Sequence, residues 1–278
     1  MFQEASRPEQ PSGCEDPGDE QQRSYRTIRT HKISRNCVRT RRARRADRSN
    51  LPVVRIWETS SNAVIAQFIN FNYMTRLYII SGCNGAGKTT ASYSLLPEML
   101  DCREFVNSDE FAKGLSPFDP SKASIQASRY MITKIRYLLR KQKDFAVETT
   151  LATRTLLKTA KMAQAAGYTV TLLYFWLNSP DLAVERVRAR VEAGGHDIPE
   201  ETIRRRYHVG IYYFFNSYAP ICERWILADN SQIPFRVIAE GSKDEILNIR
   251  DEATYAKIKA IADNRKKIIE ETGEILSL

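Results

Sequence analysis

Gly82-Cys83-Asn84-Gly85-Ala86-Gly87-Lys88-Thr89 fills every position of the pattern G-x-x-x-x-G-K-[ST], and Thr90 adds a second hydroxyl behind it. The flanks agree with the motif. Leu77-Tyr78-Ile79-Ile80 reads as a buried strand, and the stretch from Thr90 to Leu100 reads as the helix that should follow. Glycines at 82, 85 and 87 let the loop curl until successive backbone N–H groups face a polyphosphate, and the helix N-terminus adds its positive end. In such a loop Lys88 bridges the β- and γ-phosphates and the Thr89 hydroxyl is a Mg²⁺ ligand. Cys83 is a small loop residue in this reading and not a nucleophile.

Outward from the loop, apolar β-branched runs alternate with longer stretches of helical period. Strands are expected at Leu77–Ser81, Glu104–Asn107, Phe145–Glu148, Thr169–Trp176, Arg224–Leu227 and Phe235–Ile238. Helices are expected near Lys88–Leu100, Pro120–Lys141, Thr153–Ala166, Pro180–Val191 and Pro199–Tyr218, with a charged terminal helix near Lys243–Glu271. Ser179-Pro180 and Pro199-Glu200-Glu201 carry the proline and acids of a helix first turn. This alternation gives an α/β, doubly wound parallel sheet of the P-loop NTPase, nucleoside-kinase-like type, with a helical lid.

Two strand ends carry carboxylates. Phe105-Val106-Asn107-Ser108-Asp109-Glu110 leaves a strand at the carboxyl edge, where such sheets bind ligands. Asp109 there is a candidate base for an acceptor hydroxyl, or it caps the next helix. Phe145-Ala146-Val147-Glu148-Thr149-Thr150 ends another strand; Glu148 either orients a substrate or a Mg²⁺-bound water, or is a satisfied buried carboxylate. Arg186, Arg188 and Arg190, then Gly194-Gly195-His196-Asp197, then Arg204, Arg205 and Arg206, read as helix, hinge and helix dense in guanidinium groups. They are lid arginines for a phosphoryl-transfer transition state, or plain surface charge. His196 lacks partners at metal-ligand spacing and reads as a hinge or hydrogen-bonding residue. Asp229-Asn230-Ser231 lies near the expected adenine position, or forms an ordinary Asx turn.

Composition bounds the rest. Apolar residues are 42% and charged residues 27% of 278, and no uninterrupted apolar run reaches about 18 residues, so membrane spans are excluded. Five scattered cysteines without a CxxC pair argue against a disulfide framework or zinc site and fit a cytoplasmic chain. Forty-two basic against 33 acidic residues give +9. Residues 23–48 hold eleven Lys/Arg against the single acid Asp47. The 1–73 segment therefore reads as a disordered, Arg-rich extension. Nucleic acid would be a partner only through the 23–48 tail, and a start of translation at Met74 is a further reading of it. The kinase domain is expected over 74–242 and a charged helix over 243–278.

Over about Met74 to Glu240 the chain resembles the zeta toxin group of P-loop kinases, in its broad bacterial branch described as predicted ABC-type ATPases. The resemblance rests on Ser81–Thr90, Phe105–Glu110, Glu148–Leu151, Gly167-Tyr168, Ser179–Val191, Gly194–Glu200, Ile203–Tyr207 and Asp229–Ser231. No LSGGQ-like signature occurs, and the 1–73 segment has no counterpart in that family's pattern.

The resemblance implies a small-molecule kinase using ATP or GTP and Mg²⁺. Zeta toxins phosphorylate the 3′-hydroxyl of the amino sugar in UDP-N-acetylglucosamine and are often silenced by a small antitoxin protein. It assigns Asp109 as base, Lys88 and Thr89 as phosphate and Mg²⁺ ligands, and Glu148 and Thr150, with Arg154 beyond them, as substrate contacts. Its lid arginines correspond to Arg190 and one of Arg204–Arg206, with Arg204 taken as the catalytic member. Rival readings change the acceptor to a nucleic-acid end or other nucleotide, or make the chain a non-catalytic ATP-binding module.

Overall fold

The computed structural model describes residues 74–273. The expectations for the 1–73 extension and its partners lie outside those residues. Strand β1 (Arg76–Ser81) leads through the loop to α1 (Lys88–Glu98); β2 (Phe105–Val106) and α2 (Ser108–Leu115) follow. A 3-10 turn (Pro120–Ala123) opens α3 (Ser124–Arg140), and β3 (Phe145–Thr149), α4 (Thr155–Ala165) and β4 (Thr169–Trp176) come next. The lid helices are α5 (Pro180–Glu192) and α6 (Glu200–Tyr213). A π turn (Phe214–Tyr218) and a 3-10 turn (Ala219–Ile221) lead to β5 (Arg224–Asp229), β6 (Arg236–Ser242), β7 (Glu245–Ile249) and α7 (Glu252–Thr272).

The seven strands form one sheet in the order β2-β3-β1-β4-β5-β6-β7. The first five pair in parallel; β6 and β7 add as an antiparallel extension. The chain leaves β1 toward β2 in one direction and later returns past it to β4, which is what winds the sheet doubly and opens a crevice at the strands' carboxyl ends.

Local chemistry explains the elements. Leu77, Tyr78, Ile79 and Ile80 are all 0% exposed, as expected of a central strand covered on both faces. Each such aliphatic chain contributes on the order of 1.5–3 kcal/mol of transfer free energy. At one end Asp144 fixes β1, accepting from the Arg76 backbone N–H at 2.8 Å and from its Nε at 2.7 Å. Helix α5 starts where Ser179-Pro180 predicts, with the Ser179 hydroxyl accepting the Leu182 N–H at 3.1 Å. No helix among the described residues is long and apolar enough to cross a membrane.

The structure corrects three expectations. The terminal helix begins at Glu252, not near Lys243, because residues 245–249 pair with β6 and Asp251 caps the helix by accepting the Thr254 N–H at 3.0 Å. Ile246 and Ile249 sit at helical spacing, which disguised that strand. Second, α2 is a helix that composition concealed: it is eight residues long and contains Gly114. Third, α3 starts four residues later than Pro120, after the 3-10 turn.

The β5–β6–β7 extension turns tightly around Trp225, which is 3% exposed and donates its indole N–H to the Lys243 carbonyl at 3.0 Å. A Cβ at Gly241 would fall 2.1 Å from the Trp225 ring and 2.4 Å from the Glu245 carbonyl oxygen. Gly241→Ala should therefore cost about 2 kcal/mol and lower the melting temperature by roughly 4–8 °C in a calorimetric scan. A change below about 1 °C would mean that the ring yields freely.

Candidate active site

The loop after β1 is held in shape by the ends of β4 and β5. Gly82 sits at φ 141°, and a Cβ there would lie 2.2 Å from the Phe175 carbonyl oxygen of β4. Gly87, at φ 75°, leaves room for the Asn230 amide, which donates to the Ala86 carbonyl at 2.7 Å. Asn230 is fixed in turn: its backbone N–H donates to the Trp176 carbonyl at 2.9 Å. Arg186 of α5 donates to the Asn230 and Ser231 carbonyls, both at 2.8 Å. Asp229 accepts the Ser231 backbone N–H at 2.9 Å, the Asx turn that was one of the two readings of this segment. Gly87 caps α1 without a side-chain hydrogen bond, and the first N–H groups of the helix, from Lys88 to Thr90, have no acceptor in a preceding helical turn.

A polar cluster lies at the loop's mouth. Lys88 is 7% exposed and donates from Nζ to the Cys83 carbonyl at 2.9 Å, with a Glu148 oxygen 3.9 Å away. The Thr89 hydroxyl donates to Glu148 at 2.8 Å, and the Asn107 amide donates to the same carboxylate at 2.9 Å. Burial raises the Glu148 pKa, opposed by the Lys88 charge and the Thr89 hydrogen bond. Asn107 also caps α2, its side-chain oxygen accepting the Asp109 N–H at 2.9 Å. Asp109 thus stands exposed in the first turn of α2, beside this cluster. Burial pushes the Cys83 thiol up to about 11, which removes it as a nucleophile.

The three-arginine run separates by helical phase. Arg206 turns inward and donates from Nη1 to the Asn84 side-chain oxygen in the loop at 3.1 Å. Burial lowers its pKa, and neighbouring Arg205 lowers it further. Arg204 turns the other way and pairs with Glu200 at 2.8 Å and with Asp181 at 2.7 Å. Arg205 lines a separate cleft between α6 and α7. Arg190 is exposed and donates to the His196 carbonyl at 2.8 Å, while the Gly195 N–H closes on the Arg190 carbonyl at 2.8 Å.

A cavity of about 250 Å³ collects Asn84, Lys88, Asp109, Glu148, Thr150 and Arg206. Arg190, Arg204, Arg154, Thr89 and Thr90 are not among its walls, nor are Gly82, Cys83, Gly85, Ala86 and Gly87; Arg154 lies over the Tyr213 ring at 5.6 Å and Thr90 is exposed on α1. Sequence reasoning passed over Asn107, although a polar residue closing an apolar strand signals it, and the threonines of α4, which no spacing signals. The donor set fits a polyphosphate: a buried ammonium on a backbone carbonyl, the first N–H groups of a helix and a loop too tight for side chains at its glycines. A hydroxyl and a carboxylate already in contact at Thr89 and Glu148 fit Mg²⁺, which commonly takes one or two protein oxygens and leaves the rest to phosphate and water.

A family model described as an AAA domain matches residues 77–207. An uncharacterized protein of Haemophilus influenzae is 32% identical over 127 residues, covering 45% of this chain and 88% of that protein. Among solved structures, the AvrRxo1-ORF1:AvrRxo1-ORF2 complex with sulphate ions is similar at a TM-score of 0.54 and 14% identity, over 74% of this chain and 70% of that chain. The AvrRxo1-ORF1:-ORF2 structure with ATP gives a TM-score of 0.52 and 15% identity, over 70% of this chain and 66% of that one. At those identities the likeness is one of fold, a doubly wound α/β sheet with a P-loop sequence after its first strand. With 88% of the Haemophilus influenzae protein covered at 32% identity, the chain belongs to that protein's family.

Proposed function

We propose that the chain is a phosphotransferase that moves the γ-phosphate of ATP, or GTP, to a hydroxyl of a small molecule. One observation carries the reading: Asp109 and Arg206 face the same cavity as Lys88 and Glu148, the carboxylate that accepts the Thr89 hydroxyl. A carboxylate, a guanidinium and a phosphate cradle around one space are what in-line phosphoryl transfer requires.

The acceptor oxygen attacks the γ-phosphorus while its proton passes to the Asp109 carboxylate. The bond from phosphorus to the β,γ-bridging oxygen breaks, and ADP leaves with that electron pair. Lys88 and Arg206 counter the charge on the transferring group, and Arg206 keeps register with the loop through Asn84. Thr89 and Glu148 would hold Mg²⁺, which supplies charge neutralisation at the phosphates. The resemblance to zeta toxins would add a small antitoxin partner, a cytoplasmic setting and UDP-N-acetylglucosamine as acceptor; of these the acceptor competes with a neutral one, which the make-up of the cavity wall favours. The catalytic unit in this reading is 74–242, with 243–278 as its C-terminal cover.

Release of ADP from Mg²⁺-ATP, measured with and without a hydroxyl acceptor, tests the assignment. Lys88→Ala should lose ATP affinity. Asp109→Asn should keep ATP affinity within about threefold and lower acceptor-dependent turnover roughly 10²- to 10⁴-fold. Equal loss of ATP affinity in both variants refutes Asp109 as base. Among the arginines, Arg206→Ala should reduce kcat about 10²- to 10³-fold, whereas Arg204→Ala, which breaks only exposed ion pairs, should stay within about threefold. The reverse order would return catalysis to Arg204.

A further inference from the structure

The cavity has two kinds of wall. Its charged members among the described residues are Lys88, Asp109, Glu148 and Arg206, all tied to the phosphate loop or the residues beside it. Asn84, Asn107 and Ser108 lie with them; the rest of the wall comes from α3, α4 and the end of β3 with the turn after it, and it is of another chemistry. Thr149, Thr150, Thr153, Thr155 and Thr159 are among its walls, the Thr149 hydroxyl taken up by the Leu151 N–H and the Thr153 hydroxyl donating to that of Thr155 at 3.3 Å. Met131, Ile132, Ile135 and Leu156 supply an apolar face.

The hydroxyl wall is rigidly built. Leu151 is 0% exposed and holds φ at 59°, a left-handed conformation that costs a branched residue on the order of 1–3 kcal/mol. Three contacts over-determine that turn. The Thr149 hydroxyl accepts the Leu151 N–H at 3.0 Å, and the Tyr218 hydroxyl donates to the Thr153 carbonyl at 2.7 Å. Gly210 of α6 packs so closely that a Cβ there would lie 2.8 Å from the Thr150 carbonyl oxygen. Gly210 is four residues beyond Arg206, on the same helix face, so one helix sets both the phosphate-side guanidinium and the threonine turn.

The geometry points to an acceptor that is an uncharged polyol of about monosaccharide size, with one apolar face. This rests on the phosphotransferase reading and names its substrate class. A threonine hydroxyl both donates and accepts, so it pairs with a neutral hydroxyl in either orientation. The apolar wall suits the C–H face of a sugar ring or alditol. A nucleotide or nucleic-acid acceptor brings phosphates of its own, which call for guanidinium or ammonium partners in addition to Lys88 and Arg206. At about 250 Å³, the cavity falls below the range of drug-sized sites, roughly 300–1,000 Å³, and must also admit the γ-phosphate.

The test incubates the full chain with Mg²⁺-ATP and five probes: D-glucose, N-acetyl-D-glucosamine, ribitol, UDP-N-acetylglucosamine and a 5′-hydroxyl oligonucleotide. Phosphate incorporation is followed by mass, and ATP affinity by calorimetry. At least one neutral probe should be phosphorylated with kcat/KM tenfold or more above both anionic probes. Thr159→Val should then raise KM for that acceptor about three- to tenfold with less effect on kcat, and the exposed Thr155→Val provides a second variant free of packing changes. Use of either anionic probe as well as or better than every neutral one overturns the inference and leaves the phosphotransferase reading standing. An unchanged acceptor KM in both variants also overturns it. ATP binding with no transfer to any probe overturns the phosphotransferase reading itself, and this inference with it.

Discussion

A single buried carboxylate ties the site together. Glu148, next to last in β3, accepts from Thr89 at the start of α1 and from Asn107 at the start of α2, while Lys88 balances its charge from 3.9 Å. Burial alone would drive Glu148 toward its neutral form; the ammonium and two donors oppose that. Because each donor belongs to a different segment, satisfying this one group fixes the loop, the strand end and the helix carrying Asp109 relative to one another. The desolvation of Glu148 is thereby turned into placement of the groups around the phosphate cradle.

The lid helices act through the same economy of contacts. Arg186 does not face the phosphate space; it holds the Asn230 turn, and the Asn230 amide holds the loop at Ala86. Arg206 reaches Asn84 from the next helix. Two arginines that look alike in sequence thus do unlike work, one bracing the loop from behind and the other entering the cavity.

How much of this the sequence discloses follows from the range of each interaction. The loop was legible because eight consecutive residues carry it, and β1 and α1 flank it within a dozen positions. Asp109 and Glu148 were visible as strand-end carboxylates, and the structure brings both to the cavity. The contacts of Glu148 with Thr89 and Asn107 were not visible, since they span 59 and 41 residues of chain. Arg204–Arg206 could not be sorted, because successive helical residues point in different directions and only packing against α5 and the loop fixes which one, Arg206, turns inward. Strand β7 was hidden by isoleucines whose spacing suits a helix as well as a hairpin. The α4 threonines carry no spacing signal at all; they become a wall only where the fold brings α3 and α4 to one cavity.

Leu151 gives the fold a particular evolutionary character. Its left-handed turn persists only while Gly210, Tyr218 and Thr149 compel it. A replacement anywhere among those supports, remote from any bound molecule, relaxes the turn and reorients Thr150. The shape of that part of the cavity is therefore set by packing beneath it, and it can drift while the phosphate loop, braced from the other side through Asn230 and Arg186, stays the same.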